Sequence, residues 1–137
     1  MIQNGDPVDS DEQVSRFAFE KSYFSRQDNT VKPKAFEPQN CIQQGYTALE
    51  TSVFRMGGLT ASEAWAVADK EVVPLRKKPV VARAIIGVAK VRETGLDVSH
   101  AVPPERHAVI VNWPTDDLEI LFKTQELAAA AVLERRD

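Results

Sequence analysis

The sequence predicts an α+β fold in which a mostly antiparallel sheet of four or five strands and two main helices form two layers. Three observations predict it. Residues 107–114 are a strand-like apolar run that leads into an amphipathic segment, 116–134. Residues 60–63 read Thr-Ala-Ser-Glu, which is typical of a capping box at the start of a helix. Other short apolar runs alternate with turn residues, a pattern typical of strands.

The N-terminal 13 residues are predicted to form a flexible acidic tail, and residues 14–137 a single domain. The first dozen residues carry four acidic side chains and no cation. Such polar termini are often poorly ordered. A chain of 137 residues is long enough for one domain with its own core.

The first predicted strand spans 14–20, where Phe17 and Phe19 alternate as on one face of a sheet. Residues 21–46 contain two prolines and a polar run and are expected to be mostly loop. Within them, 31–36 is expected to be extended. A long loop in a compact domain is often functional.

The middle of the chain alternates strands and helices. Residues 49–55 are rich in β-formers and stop at two glycines, and the capped helix that follows is predicted to run over 61–73, before a proline. Residues 80–86 predict a buried strand interrupted by Arg83. Residues 87–94 favour a short helix, although their valines are also compatible with a strand.

In the C-terminal third, turn residues, prolines and a helix cap predict the boundaries of the elements. A turn at 95–98 enters a strand, a Pro-Pro loop covers 101–106, and the strand around 108–111 ends at Pro114. Thr115 is the predicted N-cap of the helix over 116–134. Its predicted buried face consists of Leu118, Leu121, Phe122, Gln125, Ala129 and Val132.

Composition excludes several classes of function. The net charge of −3 argues against a general nucleic-acid binder. The single cysteine, Cys41, cannot form an internal disulfide or a cysteine zinc site, and we expect no metal and no cofactor. The sequence shows no signal peptide and no apolar run of membrane length, so a cytoplasmic protein without membrane contact is predicted.

Four residues are candidates for an anion-binding pocket. Arg83 interrupts an apolar run, so it is expected either to form an ion pair, with Glu50 or Asp97, or to bind an anionic ligand. Arg16, Arg55 and His107 lie on or at the ends of predicted strands.

His107 is either a packed strand-edge histidine or a general base or phosphate contact. If Arg16, Arg55, Arg83 and His107 share one face, they form a cationic pocket. Otherwise the arginines are separate side chains whose stems cover apolar surface.

No catalytic residue is predicted. The sequence has no nucleophile elbow, no P-loop and no dinucleotide-binding motif. Glu50-Thr-Ser52 resembles part of an ADP-ribosyltransferase site, but it is too short and in the wrong order for one. Tryptophans are more often core residues than contacts, yet an exposed Trp113 beside Pro114, or Phe36, would provide a partner-binding patch.

Seven segments of the chain together resemble an uncharacterised family of small bacterial proteins with no assigned activity. They are Arg16-Phe17, Lys32-Pro-Lys-Ala-Phe36, Ser52-Val-Phe-Arg55, Leu59 with Trp65, Ala82-Arg-Ala84, Gly95-Leu-Asp-Val98 and His107-Ala-Val-Ile-Val-Asn-Trp-Pro114. The resemblance covers about residues 14–132. It implies a bacterial or phage accessory protein and supplies no site residues.

Two classes of function remain. The first, which is the function that we predict from the sequence, is a non-enzymatic interaction module that binds a protein partner. The second is a domain, with or without catalytic activity, that binds a nucleotide or a phosphorylated small molecule through the four cationic candidates. A strand at Arg16–Glu20 on the edge of the sheet would also allow pairing in a homodimer.

Overall fold

A computed structural model describes residues 3–43 and 46–136, and over them it confirms an α+β fold with a mostly antiparallel sheet. The strands of the described residues are β1 (Gln13–Ala18), β2 (Phe24–Ser25), β3 (Thr30–Val31), β4 (Gln39–Gln43), β5 (Tyr46–Arg55), β6 (Ala82–Gly87), β7 (Asp97–His100), β8 (His107–Val111) and β9 (Val132–Arg135). The α-helices are α1 (Ala61–Glu71), α2 (Val73–Arg76), α3 (Val88–Glu93) and α4 (Asp117–Ala130). Two 3-10 turns span Lys21–Tyr23 and Pro33–Phe36.

Over the described residues, six strands of the main sheet lie side by side in the order β7-β8-β5-β1-β6-β9, rather than the four or five predicted. Its neighbouring strands are antiparallel. β4 pairs with the first half of β5 outside this order. The additional strand in this order, β9, comes from a segment predicted as helix, and β4 comes from a segment predicted as loop.

Helices cover both faces of the sheet, so the layering differs from the predicted two layers. Val14 and Phe17 lie three apart on β1 and therefore face opposite sides. Val14 belongs to the larger core, which includes α3 and α4, whereas Phe17 packs with Ala64 and Ala68 of α1. We call these the α4 face and the α1 face.

Residues 5–8 of the segment that was predicted as a flexible tail lie along β7. The backbone N–H of Gly5 donates to His100 O and that of Val8 to Val98 O, both at 3.0 Å. Val8 is 1% exposed. The burial of an apolar side chain and these main-chain bonds give the segment a defined path.

β1 lies between β5 and β6, which corrects the expectation of an edge strand at Arg16–Glu20. The edges of the main sheet are β7 and β9. β1 is paired over its length with β6 and lies inside the sheet, so it does not provide the edge at which a second copy would pair.

The capping box of α1 is confirmed. Thr60 Oγ1 accepts from the Glu63 N–H at 3.2 Å, and the Glu63 carboxylate accepts from the Thr60 N–H at 2.9 Å. α1 ends at Glu71, and α2 follows with a proline in its first turn, where a missing N–H costs little. None of the described helices is long and apolar enough to cross a membrane.

The C-terminal helix is shorter than predicted. Its N-cap is Asp116, which accepts from the Glu119 N–H at 3.1 Å, and not Thr115. It ends at Ala130, and the residues predicted as its last turn form β9 along β6. Pairing with β6 provides partners for backbone groups that would otherwise form an open sheet edge.

The predicted buried face of this helix is wrong. Thr124, Leu127 and Ala128 are the buried residues of α4. Leu118 and Phe122 are 57% and 52% exposed. Apolar residues occur on several sides of α4, so the periodicity alone could not identify the side that meets the sheet.

Candidate functional site

Two of the four predicted pocket residues line one cleft on the α1 face. Arg16 and His107 line it together with Ser52 and Arg76. We call this the Arg16 cleft, defined by these four residues. Its volume is ≈ 290 Å³, close to the lower end of small-molecule sites, which start at roughly 300 Å³.

The walls of the Arg16 cleft are mainly apolar. Phe17 and Phe54 project from the sheet, Leu75 comes from α2, and Pro103 and Pro104 come from the loop between β7 and β8. The cleft thus combines mainly apolar walls with a few polar groups, as in many ligand sites, where such groups set the orientation of the ligand.

Two further spaces adjoin the cleft. A recess of ≈ 120 Å³ shares Arg16, Ser52, Arg76 and His107 with it and is lined also by acidic side chains such as Glu50. An open groove of ≈ 550 Å³ continues from the prolines along α1. A bound molecule can therefore extend beyond the cleft in two directions.

Arg16 occupies a separation between two strands. β1 pairs with β5 only at Val14–Arg55 and Ser15–Phe54, so the strands part beyond Ser15. The Arg16 guanidinium donates from Nη1 to Ser52 O at 3.0 Å, and from Nε to Ala35 O at 2.9 Å. The side chain therefore replaces main-chain pairing and reaches the cleft through the gap.

The Arg16 charge has no acidic partner among the described residues. Its side chain contacts carbonyl oxygens and the ring of Tyr23, 5.7 Å from the guanidinium carbon. Burial lowers the pKa of Arg16; Tyr23 opposes this effect, and the nearby Arg76 adds to it. A buried cation in such surroundings favours an anion beside it.

His107 and Ser52 form a hydrogen-bonded pair. Ser52 Oγ lies 2.6 Å from His107 Nε2, and His107 Nδ1 lies 2.8 Å from Ala101 O. The two residues are diagonal neighbours on β5 and β8, because Ser52 is opposite Val109 and His107 opposite Phe54. Neighbouring strands therefore hold the pair on the α1 face.

Arg55 is not part of the Arg16 cleft. Its Nη1 lies 3.5 Å from Glu12, and its Nη2 donates to Glu105 O at 3.1 Å. It lines a different depression, near the N-terminal segment and His100. Its register opposite Val14 turns it toward the α4 face, away from His107.

Arg83 is also outside the cleft and is neutralised within the fold. Its Nε donates to Glu134 at 2.9 Å, its Nη1 donates to Ser15 Oγ at 3.2 Å, and its guanidinium lies 5.5 Å from the ring centre of Trp65. The predicted ion pair thus exists with Glu134, and not with Glu50 or Asp97, because the unforeseen strand β9 brings Glu134 opposite Arg83.

The two aromatic partner-binding candidates are buried, which corrects the expectation of an exposed patch around them. Phe36 is 0% exposed and Trp113 is 8% exposed. The Trp113 indole N–H donates to Ile110 O at 3.0 Å. Both side chains belong to the core of the α4 face.

Sequence reasoning missed Arg76 and the role of Ser52. Arg76 belongs to a recognisable basic turn, but nothing in the sequence places that turn beside Arg16. Ser52 stands out only in Glu50-Thr-Ser52, and its histidine partner is 55 residues away. Which residues come close in space depends on the order of the strands, and the sequence pattern does not show that order.

Among the described residues, no group of three or more His, Cys, Asp or Glu side chains is arranged to hold a metal ion. Comparison with protein-family models, curated proteins and solved structures finds no match for this chain. Membership in the family of small bacterial proteins that the sequence resembles stays a prediction.

Proposed function

We propose that the protein binds a small molecule with one anionic group, a phosphate or carboxylate, on an apolar body. The Arg16 cleft supports both parts of this ligand. Arg16 and Arg76 provide positive charge, and Phe17, Phe54 and Leu75 provide apolar walls. A guanidinium recognises phosphate and carboxylate oxygens through paired N–H groups.

The observation that carries the proposal is the buried Arg16. A cation removed from water and left without an acidic partner costs several kcal/mol, a cost that an anionic ligand would offset. Arg83 is equally buried, yet it has Glu134 beside it. The sheet can therefore accommodate a carboxylate beside a buried arginine, and Arg16 stands without one among the described residues.

The surrounding acids limit the charge of the ligand. Glu71 lines the cleft, and Glu37 and Glu50 line the adjoining recess. These carboxylates would repel a polyphosphate, since like charges close together are unfavourable. We therefore expect a ligand with a single anionic group near Arg16 and, where it enters the recess, a neutral or cationic part.

Isothermal titration calorimetry with phenyl phosphate tests the proposal, with AMP as the nucleotide probe and benzyl alcohol as the uncharged comparison. Phenyl phosphate should bind, and benzyl alcohol should not. Arg76→Gln should weaken binding about tenfold, since the loss of one charged contact costs on the order of 1.5 kcal/mol. Arg16→Lys keeps the charge but loses the paired N–H groups and should weaken binding by at least as much.

Lys90→Gln is the matched control, because Lys90 is an exposed cation on α3 that does not line the cleft. Its affinity for phenyl phosphate should equal that of the wild type. Equal affinities for benzyl alcohol and phenyl phosphate would contradict the proposal. So would binding that both arginine variants leave unchanged.

A protein-interaction role is the second candidate. The supporting observation is the exposed apolar surface of α4, where Leu118, Leu121 and Phe122 are each about half exposed or more, at 57%, 46% and 52%. Contiguous apolar surface of this kind often marks a contact site. A protein partner that uses this surface should form a complex with the purified wild type and should not bind the double variant Leu118→Ser/Phe122→Ser. Equal binding of the partner to that variant would contradict this role for α4.

A further inference from the structure

The Ser52–His107 pair carries chemistry beyond ligand binding. A carbonyl oxygen only accepts hydrogen bonds, so the 2.8 Å contact with Ala101 O places a proton on His107 Nδ1. In the neutral ring Nε2 is then the acceptor, and Ser52 donates its hydroxyl proton across 2.6 Å. This is the arrangement of a serine nucleophile and its general base, with the base oriented by a third group.

The surroundings hold the pair in place. The Ala101 N–H donates to His107 O at 3.1 Å, and the His107 N–H donates to Pro104 O at 3.0 Å, so both ends of the loop are tied. The His107 ring also packs against Phe54, with ring centres 5.2 Å apart. Because the imidazole is restrained on several sides, it needs little reorganisation to accept a proton.

The serine is accessible from the cleft. Ser52 and His107 both line the cavity and are only partly buried, and the Arg16 guanidinium contacts the carbonyl of the same serine at 3.0 Å. A positive charge this close to a nucleophile stabilises the negative charge that develops during attack on a carbonyl group. Nucleophile, base and electrostatic stabiliser therefore meet in one apolar space.

We infer that Ser52 and His107 hydrolyse small carboxylic esters that bind in the Arg16 cleft, an inference that rests on the proposed function for substrate binding. Ser52 acts as the nucleophile and His107 as the general base. The apolar walls take the acyl group, and Arg16 together with Arg76 stabilises the oxyanion, at the place where the proposed function puts the anionic group of the ligand. The Ala101 carbonyl is a positioning group, since it acts through His107.

The reaction balances in two stages. Ser52 Oγ bonds to the ester carbonyl carbon as its proton passes to His107 Nε2, and the carbon–oxygen bond to the alcohol breaks as the alcohol takes that proton. Water then attacks the acyl-serine and gives a proton to His107, which returns it to Ser52 Oγ as the acid leaves. The net change is ester plus water to acid plus alcohol.

A fluorophosphonate probe tests the inference on the whole chain. Such a probe forms an Oγ–P bond with an activated serine and releases fluoride. Mass spectrometry of the digested wild-type protein should locate the adduct on Ser52, and phenyl phosphate should slow its formation. His107→Gln should slow labelling by about 100-fold or more, the usual contribution of a general base. Release of 4-nitrophenol from 4-nitrophenyl acetate should fall in parallel.

Ser99→Ala is the control, because Ser99 is a half-buried strand serine outside the Arg16 cleft. It should label at the wild-type rate. An adduct on another residue, no adduct, or equal labelling of the wild type and a folded His107→Gln would overturn the inference. Calorimetry of the wild type with phenyl phosphate separates the two proposals, because binding without an adduct overturns only the hydrolysis, whereas absence of binding overturns both.

Discussion

The two faces of the sheet differ in what fills them. On the α4 face, large apolar side chains such as Ile110 and Leu127 are fully buried and form the larger core. On the α1 face, the helix contributes the small side chains of Ala64 and Ala68, and the Arg16 cleft lies open beside it. The contrast indicates that one face supplies most of the apolar packing, while the other can hold polar groups next to a cavity.

The two buried arginines sharpen this contrast. Arg83 is surrounded by groups that neutralise or stack on it, above all Glu134 and Trp65. Arg16 is held by carbonyl oxygens and faces the cleft. Burial of a charge is therefore insufficient to identify a site, and the useful feature is a buried charge whose partner is missing.

The largest expected effect is on the α4 face. Leu127→Ala removes a fully buried side chain and should lower the free energy of unfolding by about 2–5 kcal/mol, since it leaves a cavity in the core. Urea denaturation measures the change. Phenyl phosphate affinity of the folded variant should stay at the wild-type value; a stability loss below about 1 kcal/mol would contradict the packing of α4 described above.

A smaller effect is expected from the Arg83–Glu134 ion pair. Arg83→Met should cost about 1–2 kcal/mol, less than for a fully buried pair because Glu134 is 35% exposed. Arg83→Met/Glu134→Met should recover at least half of that loss in urea denaturation. If the double variant is no more stable than the single one, the pair is not the reason for the burial of Arg83.

The pH dependence of stability should reveal His100. Burial lowers the pKa of His100 below its ordinary value of 6.5, and the nearby Arg55 adds to the effect, while Glu12 and Asp6 oppose it. As the pH falls below 6.5, the unfolded chain binds a proton at His100 that the folded chain does not bind. The free energy of unfolding therefore decreases until the pH reaches the lower pKa of His100 in the folded state. The slope for one proton is at most about 1.4 kcal/mol per pH unit.

Denaturation of wild type and His100→Gln between pH 7.5 and pH 5 measures this dependence, and the variant should show a flatter profile. Carboxylates contribute to the pH dependence of stability at lower pH than histidine does. The Arg136 hydrogen bonds hold the pKa of Asp69 below its ordinary 3.8, so that contribution is lost only at more acidic pH. Identical profiles above pH 5 would contradict the role of His100.

The smallest effect is expected at the exposed side of α4. Leu121→Ala should change the free energy of unfolding by less than about 0.5 kcal/mol, because the side chain is 46% exposed. The periodicity of the sequence predicted the opposite, namely a buried Leu121. Thermal denaturation of Leu121→Ala and Leu127→Ala, measured side by side, shows which side of α4 packs against the sheet.

Local signals in the sequence predicted much of the secondary structure. The capping box at Thr60 located the start of α1, and the apolar runs located β5, β6 and β8. These features depend on neighbours in the chain, which is why pattern alone finds them. β9 was missed because its residues continue a helical pattern, and only pairing with β6 gives them extended structure.

The candidate site was predicted in part. Arg16 and His107 were predicted as site residues because they are polar groups on apolar strands, and both line the Arg16 cleft. Arg55 and Arg83 were predicted for the same reason, yet each has its own acidic partner, Glu12 and Glu134. Sequence shows which charges are unusual; it does not show which of them are compensated.

Short-range periodicity and the capping box at Thr60 were sufficient to predict the α+β class, the start of α1 and the polar residues worth testing. Which strands are neighbours becomes visible only in the folded protein. That order places Ser52 beside His107, parts β1 from β5 around Arg16, and turns Leu127 instead of Leu121 toward the core. Local pattern cannot supply these contacts, because a charge or hydroxyl acquires its chemistry from groups that are distant in the chain and close in space.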